Sequence, residues 1–354
     1  MVHPLLIDVR EACKSKKTGK GQWTYGFVSE LLKRGIPLTL VTDRAIPPEW
    51  TSFPCRVEYI PGRSVMWHVN VIRFLRRNPG AAYVSPVSYI VPAFAPRSVR
   101  CIPIVHDLIA FLHEPHDRKA KWIERLTLGS AVRKADRVCT ISESTKHDLL
   151  TRYPFLLTAQ VAAIFAGPMD PNPEPSAIPS KVILCIATLC PRKNQLRLIQ
   201  AYSSLPDELR SVYRLVLAGG RGWDDAPILK AAKRAPGVEL LGYIDGSAYE
   251  SLIRTCSVFA LPSLYEGFGM QILDAMQRGV PVLTSDRGSL RELAQGAAFI
   301  VDPTSVLSIT DGLKRLLTDD ALRTELRQKG TERASHFSWK RTVDLFLECY
   351  HGGR

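Results

Sequence analysis

The sequence predicts an α/β protein with two doubly wound parallel sheets, one in each half of the chain. Three observations carry that prediction. Short apolar, β-branched runs alternate with amphipathic helical stretches in both halves. A segment with five prolines in fourteen residues, GPMDPNPEPSAIPS at 167–180, lies between the halves. The length of 354 residues suits two ordinary domains.

In the first half, LLIDV (5–9), PLTLVT (37–42), AYVSPV (82–87), CIPIVHD (101–107) and RVCTIS (137–142) read as buried strands. Gln22–Lys33 and Lys119–Lys134 read as helices between them. Proline fixes an extended backbone and excludes helix and central strand, so 167–180 reads as a linker. The second half repeats the scheme with VILCIAT (182–188), YRLVLAGG (213–220), VELLGY (238–243), VFALPS (258–263), PVLTS (281–285) and AFIVD (298–302). Ser247–Glu250 and Ser289–Glu292 have the capping-box spacing that marks a helix start. The expected divisions are a first domain over 1–166, a linker over 167–180, a second domain over 181–335 and a terminal helical segment over 336–354.

Composition narrows the function. Hydrophobic residues make up 45% and charged residues 23%, which excludes a disordered chain. No apolar core follows a basic start at the N-terminus, so no secretory signal is expected. The longest apolar stretch, Tyr83–Pro96, is interrupted by Pro86 and Pro92 and falls short of the ~18 residues a membrane span needs. The eight cysteines show neither C-x-x-C nor zinc spacing and read as reduced packing thiols of a cytoplasmic protein. The net charge of +13 is concentrated in residues 1–166, which hold 24 basic against 13 acidic residues. Clusters at Lys14–Lys20, Arg73–Arg77 and Arg118–Lys134 point to an anionic partner. No RNA-binding signature accompanies them, and nucleic acid is not expected.

In open α/β sheets ligands bind beyond the carboxyl ends of the strands, and two such domains leave a cleft between them. After the first strand comes KSKKTGKGQ (14–22), a glycine-rich turn around Gly19 ahead of a helix. Such a turn offers unpaired amides to an anion, but it matches neither the P-loop nor G-x-G-x-x-G. After the first strand of the second half comes TLCPRKN (188–194), where Arg192 and Lys193 form either a diphosphate clamp or a solvated charge pair. The most informative segment is 258–282. Its strand leads to the turn Glu266-Gly267-Phe268-Gly269, and a helix then runs from Met270 to Arg278. Gly267 and Gly269 permit close backbone approach and free the amides of Phe268, Gly269 and Met270. Glu266 has little structural work to do in such a turn, and Asp274 lies about one helical turn inside the helix. At ~1.5 Å rise per residue the two carboxylates are ~10 Å apart. A retaining glycosidase pair is only ~5–5.5 Å apart, so the arrangement better suits an extended ligand with hydroxyls at each end and phosphate between.

These motifs together resemble the family 4 glycosyltransferases, sugar-nucleotide enzymes of the GT-B fold. The family's E-x7-E is matched by Glu266-x7-Asp274, its R-K by Arg192-Lys193, its T-G-x-G by Thr18–Gly21 and its strand-end H-D by His106-Asp107. The resemblance runs on through FIVDP to HFSWKRT and so covers nearly the whole chain. It implies two Rossmann-like domains facing a cleft, the first binding acceptor and the second binding donor. The final helix, with Trp339, Val343, Phe346 and Tyr350 on one face, would pack back on the first domain. Arg192 and Lys193 would neutralise the donor diphosphate, Glu266 would face the donor sugar with the amides of Phe268–Met270, and Asp274 would hold the ribose. Gly19 would close over the diphosphate and His106 would lie beside the sugar. Asp274 stands where the family usually has Glu, one methylene longer, so a tuned donor affinity is expected.

The activity so implied is retaining transfer of a hexose, mannose- or glucose-type, from a nucleotide-diphosphate sugar to a glycan or lipid-diphosphate-linked acceptor. No metal or other cofactor is implied, and no D-x-D follows a strand. The basic first domain would dock on an anionic membrane face, making the protein cytoplasmic and peripheral. Two other readings are a non-catalytic sugar-nucleotide-binding protein and a GT-B epimerase.

Overall fold

The computed structural model describes residues 5–112, 117–170, 173–175, 180–244 and 246–352. It divides into two compact units, the first holding the described residues of 1–112, 118–169 and 338–354, the second those of 113–117 and 170–337. Of the proline-rich segment, residues 171, 172 and 176–179 lie outside the described residues. Gly167 and Pro168, read as linker, are buried in the first unit.

The first unit contains a seven-stranded sheet of β1 (Leu5–Asp8), β2 (Leu38–Thr42), β3 (Arg56–Tyr59), β4 (Ala82–Ser85), β5 (Arg100–Val105), β6 (Val138–Thr140) and β7 (Val161–Ala163). All pairs are parallel, in the order β3-β2-β1-β4-β5-β6-β7. Parallel strands are covered on both faces by crossover helices, which is why the central ones read as unbroken apolar runs. The two strands that the sequence reading missed are both edges. Arg56–Tyr59 is partly exposed and Val161–Ala163 is only three residues long, so neither carries such a run.

The C-terminal helix Trp339–His351 belongs to this unit. Trp339 donates from Nε1 to the Pro168 carbonyl at 2.7 Å, and its ring meets Trp23 edge-on. Phe346 meets Phe27 in the same way, and Arg34 pairs with Asp344 at 2.6 Å. Gly26 and Gly167 leave room for the indole. A Cβ at Gly26 would lie 2.1 Å from the Trp339 ring.

The second unit contains a six-stranded sheet of β8 (Val182–Ile186), β9 (Arg214–Ala218), β10 (Val238–Gly242), β11 (Val258–Leu261), β12 (Val282–Ser285) and β13 (Phe299–Val301). It too is parallel throughout, in the order β10-β9-β8-β11-β12-β13. Strand order reverses between β8 and β11. The loops leaving these two strands therefore diverge at the position where open α/β sheets bind ligands.

The helix over 289–294 begins differently from the sequence expectation. Its N-cap is Gly288, and Ser289 does not form the expected capping box. The hydroxyl is committed to a neighbouring loop described below. The other proposed box is displaced as well. The helix starts at Gly246, and the residue before it lies outside the described residues. Among the described residues no helix is long and apolar enough to cross a membrane.

Candidate active site

The loops after β8 and β11 build one charged cluster. After β8 a single helical turn, Pro191–Lys193, ends at Asn194 in a left-handed conformation (φ 62°), and the helix Gln195–Ser203 follows. Asn194 donates from Nδ2 to the carbonyls of Pro262 (2.9 Å) and Pro303 (2.7 Å), which ties this turn to the loop after β11. The Leu264 amide closes the junction by donating to the Arg192 carbonyl at 2.9 Å. Lys193 and Arg192 then reach Glu266. Lys193 Nζ lies 2.5 Å from Oε1 and Arg192 Nη1 lies 3.0 Å from Oε2. Ser263 donates to Oε1 as well, at 2.7 Å, the third donor on this carboxylate.

Glu266 is 5% exposed, so burial alone would raise its pKa. The two cations outweigh burial and hold it down at about 2. Glu266 is thus an ionised carboxylate in a closed charge network. This corrects the expectation that it has little structural work to do, since it fastens the β8 loop to the β11 loop.

The turn beyond Glu266 is held from the next strand. Ser289 donates from its amide and its hydroxyl to the Glu266 carbonyl (3.1 and 3.0 Å), and the hydroxyl also lies 2.9 Å from the Phe268 carbonyl. Gly269 caps the helix Met270–Gln277 at φ 105°, a conformation that a side chain rarely permits. The amides of Phe268, Gly269 and Met270 donate to no acceptor among the described residues. Gly267, Phe268, Gly269 and Met270 are all buried.

Asp274 is fully buried inside that helix. Its Oδ2 accepts from the Tyr249 hydroxyl at 2.6 Å. Arg278, one turn on, bonds the Asp274 carbonyl at 3.1 Å and forms a two-point pair with Glu250. In the first unit, His106 follows β5 and is 4% exposed. Its Nε2 lies 2.6 Å from the Pro86 carbonyl. A carbonyl only accepts, so Nε2 carries the proton and Nδ1 the lone pair. Burial, reinforced by Lys20, lowers the His106 pKa to about 3. Asp107 caps the loop that follows by accepting from the Ile109 amide at 3.2 Å. Gly19 is exposed at the start of the helix Gly19–Lys33, where a Cβ would meet nothing within 4 Å. Among the described residues no group of three or more His, Cys, Asp or Glu side chains is placed to hold a metal ion.

Residues 170–333 match the family described as "Glycosyl transferases group 1". O-antigen chain mannosyltransferase B of Escherichia coli is 30% identical over 271 residues, covering 72% of this chain and 71% of the relative. The chain belongs to the group 1 glycosyltransferases. Serotype-specific mannosyltransferase WbdA, also from Escherichia coli, is 27% identical over 275 residues; the match takes in 71% of this chain but only 33% of that protein. Sucrose-phosphate synthase from Thermosynechococcus elongatus superposes with a TM-score of 0.78 at 15% identity, covering 99% of this chain and 98% of that one. The last comparison bears on fold alone, and the two Rossmann-like sheets are those of the GT-B class.

In this glycosyltransferase three groups that hold the candidate-site residues escaped the sequence reading: Ser263, Ser289 and Tyr249. Ser263-x-x-Glu266 has the same spacing as a capping box, which was a usable signal. Nothing in the sequence marked Tyr249 as the partner of Asp274.

Two of the perturbed groups, His106 and Glu266, set an acid limit. Folding lowers the His106 pKa from 6.5 to about 3, so the unfolded chain binds a proton in that window that the folded chain does not. Glu266 behaves likewise between 4.5 and about 2. The stability these two groups contribute is full above pH 6.5 and falls with decreasing pH, by up to ~1.4 kcal/mol per unit for each group within its window. Calorimetric melting from pH 8 to 3 will show Tm declining below pH 6.5 and more steeply below 4.5. His106→Gln will flatten the upper part of the curve; an unchanged profile would detach it from His106.

Proposed function

We propose that this glycosyltransferase moves a hexose, preferentially mannose, from a nucleotide-diphosphate sugar to a glycan or lipid-diphosphate-linked acceptor, with retention, as a family 4 enzyme of polysaccharide or glycoconjugate synthesis. One observation carries the reading. An ionised Glu266 sits between Arg192 and Lys193, next to three uncommitted amides, where the strand order of the second sheet reverses. The preference for mannose rests on the names of the Escherichia coli relatives.

As the bond from the sugar's C1 to the diphosphate breaks, negative charge collects on the leaving group. Arg192, Lys193 and the helix-terminal amides offset that charge, the part a metal ion plays elsewhere. The acceptor oxygen bonds to C1 on the face the diphosphate leaves, and its proton passes to the departing diphosphate oxygen. Glu266 faces the sugar and Asp274, oriented by Tyr249, takes the ribose hydroxyls. The family resemblance assigns Gly19 to the diphosphate and His106 to the sugar; His106 would serve there as a neutral hydrogen-bonding group, because its low pKa makes it a weak base.

A thermal-shift panel of GDP-, UDP- and ADP-sugars, with and without EDTA, tests the donor half. One sugar nucleotide will raise Tm, EDTA will not reverse it, and failure of all of them ends the reading. Nucleotide release with acceptor tests the transfer half. Binding without release marks a sugar-nucleotide-binding protein, and sugar interconversion without acceptor marks an epimerase.

The proposed lipid carrier gives a reason for a surface feature of the first unit. On the helix Arg118–Lys134, Trp122 is 65% and Leu126 is 74% exposed, with Ile123 beside them. Arg118, Lys119, Arg125, Arg133 and Lys134 share the exposed face, while Glu124 turns inward to Lys20. Lys134 bonds the Ala93 carbonyl and Arg133 lies over Phe155, which brings exposed Phe94 and Phe155 alongside. Apolar side chains among cations suit an anionic, cytoplasmic membrane face. The protein will float with anionic vesicles at low salt and not with neutral ones. Trp122→Glu with Leu126→Glu will abolish flotation, and a wild type indifferent to lipid charge would remove the membrane from the reading.

A further inference from the structure

We propose that a cavity in the first unit, at the carboxyl ends of β1, β2 and β3, binds a phosphoryl group of the acceptor. The cavity measures about 730 Å³. Four cations and two carboxylates line it: Arg10, Glu11 and Lys14 from the chain after β1, Asp43 and Arg44 after β2, and Arg63 after β3. They come from three different loops, so convergence is a product of the fold and not of a local basic run.

Arg10 is held in advance of any ligand. Its guanidinium makes two bonds to the buried Asp8 carboxylate, both 3.2 Å. It stacks 3.2 Å above the centre of the buried Trp67 ring, and Nη2 lies 3.4 Å from His68 Nε2. A cation fixed from both sides loses little freedom when it binds an anion. The remaining cations are matched unevenly. Lys14 pairs with Glu11 at 2.5 Å and Arg44 with Asp43 at 2.7 Å, but Arg63 is exposed and pairs with no carboxylate among the described residues.

The backbone of the wall points the same way. Ser64 lines the cavity at φ 50° and ψ −124°, an uncommon conformation for a residue with a side chain, and strain of that kind collects at ligand sites. It is the N-cap of the helix Val65–Arg76, yet its hydroxyl caps no amide. The positive end of that helix therefore stands in the wall without an internal cap. The forks of Arg10 and Arg44 are shared with Asp8 and Asp43, so Arg63 presents the fork that fits a phosphate and the other cations add charge around it; the volume admits a diphosphate together with a sugar ring.

The identity of the occupant rests on the transfer reading above, whereas anion binding does not. Calorimetric titration of the full chain with inorganic pyrophosphate, and separately with a water-soluble prenyl-diphosphate sugar, tests both. Wild type will show two pyrophosphate events, one lost in Lys193→Ala and the other weakened at least tenfold in Arg63→Glu and retained in Arg63→Lys. The Arg63-dependent event will be tighter with the sugar diphosphate. Arg63 is exposed and has no carboxylate partner among the described residues, so its variants will melt like wild type, and a melting check accompanies each titration. If Arg63→Glu changes neither titration, the site is overturned. If pyrophosphate binds there as tightly as the sugar diphosphate, the assignment to acceptor is overturned and a free-anion site remains. Should every sugar nucleotide fail to shift Tm, the Arg63-dependent event still decides the cavity separately.

Discussion

Lys193→Ala is expected to slow sugar transfer by roughly 10²–10³-fold, and Glu266→Ala by at least as much. Both variants will also be less stable, because each breaks a buried ion pair and leaves a charge without its partner. That loss typically costs about 3–5 kcal/mol. Glu266→Ala belongs at the upper end, since it takes the carboxylate from Lys193 and Arg192 together and also from the Ser263 hydroxyl, leaving Arg192 its bond to the Tyr265 carbonyl. Lys193→Ala belongs lower, because Arg192 and Ser263 still serve the carboxylate. Lost activity in a single variant thus has two readings, direct loss of diphosphate stabilisation or loosening of the β8–β11 junction. Lys193→Met combined with Glu266→Gln separates them by removing the Lys193–Glu266 pair while keeping shape and leaving Arg192 on the Tyr265 carbonyl. Its denaturant midpoint will recover relative to the single variants, while single-turnover transfer will stay low. Recovery of transfer along with stability would make the cluster a structural ion pair and take Lys193 and Glu266 out of the mechanism.

That cluster also shows where the sequence was legible. Central strands such as VILCI and VFAL are buried on both faces, and burial on both faces writes an apolar run into the residues. Edge strand Arg56–Tyr59 is not so buried and left no such mark. The chemistry-bearing residues were visible as types at strand ends, but their pairing was not. Arg192 and Glu266 are 74 positions apart and meet because β8 and β11 are neighbours, a fact about sheet order. Spacing misled at Ser289 for a related reason. S-x-x-E looks the same whether its hydroxyl caps a helix or ties down a loop from another strand, and here tertiary position chose the second use.

The importance of that tie makes Gly288→Ala the second large expected effect. Gly288 has φ 57°, and a Cβ there would lie 2.4 Å from the Glu266 carbonyl oxygen and 3.2 Å from the Tyr265 ring. Alanine therefore meets both an unfavourable backbone region, ~1–3 kcal/mol by itself, and a backbone atom that cannot swing aside. Relief requires moving either the Glu266 loop or the start of the helix Ser289–Ala294, and both carry the bonds that fix Glu266. Two companions separate these contributions. Gly296→Ala has a similar φ of 80° with nothing within 4 Å, so it will show the strain alone. Ser289→Ala removes the hydroxyl bonds to the Glu266 and Phe268 carbonyls without any clash, at about 0.5–1.5 kcal/mol each. Thermal melting with and without the sugar nucleotide will rank Gly288→Ala as the most damaging to both stability and ligand-induced shift. Ser289→Ala will weaken the shift more than Gly296→Ala does. If Gly288→Ala merely matched Gly296→Ala, the Glu266 loop would be yielding freely, and a carboxylate on so loose a loop could not hold a sugar in position for transfer.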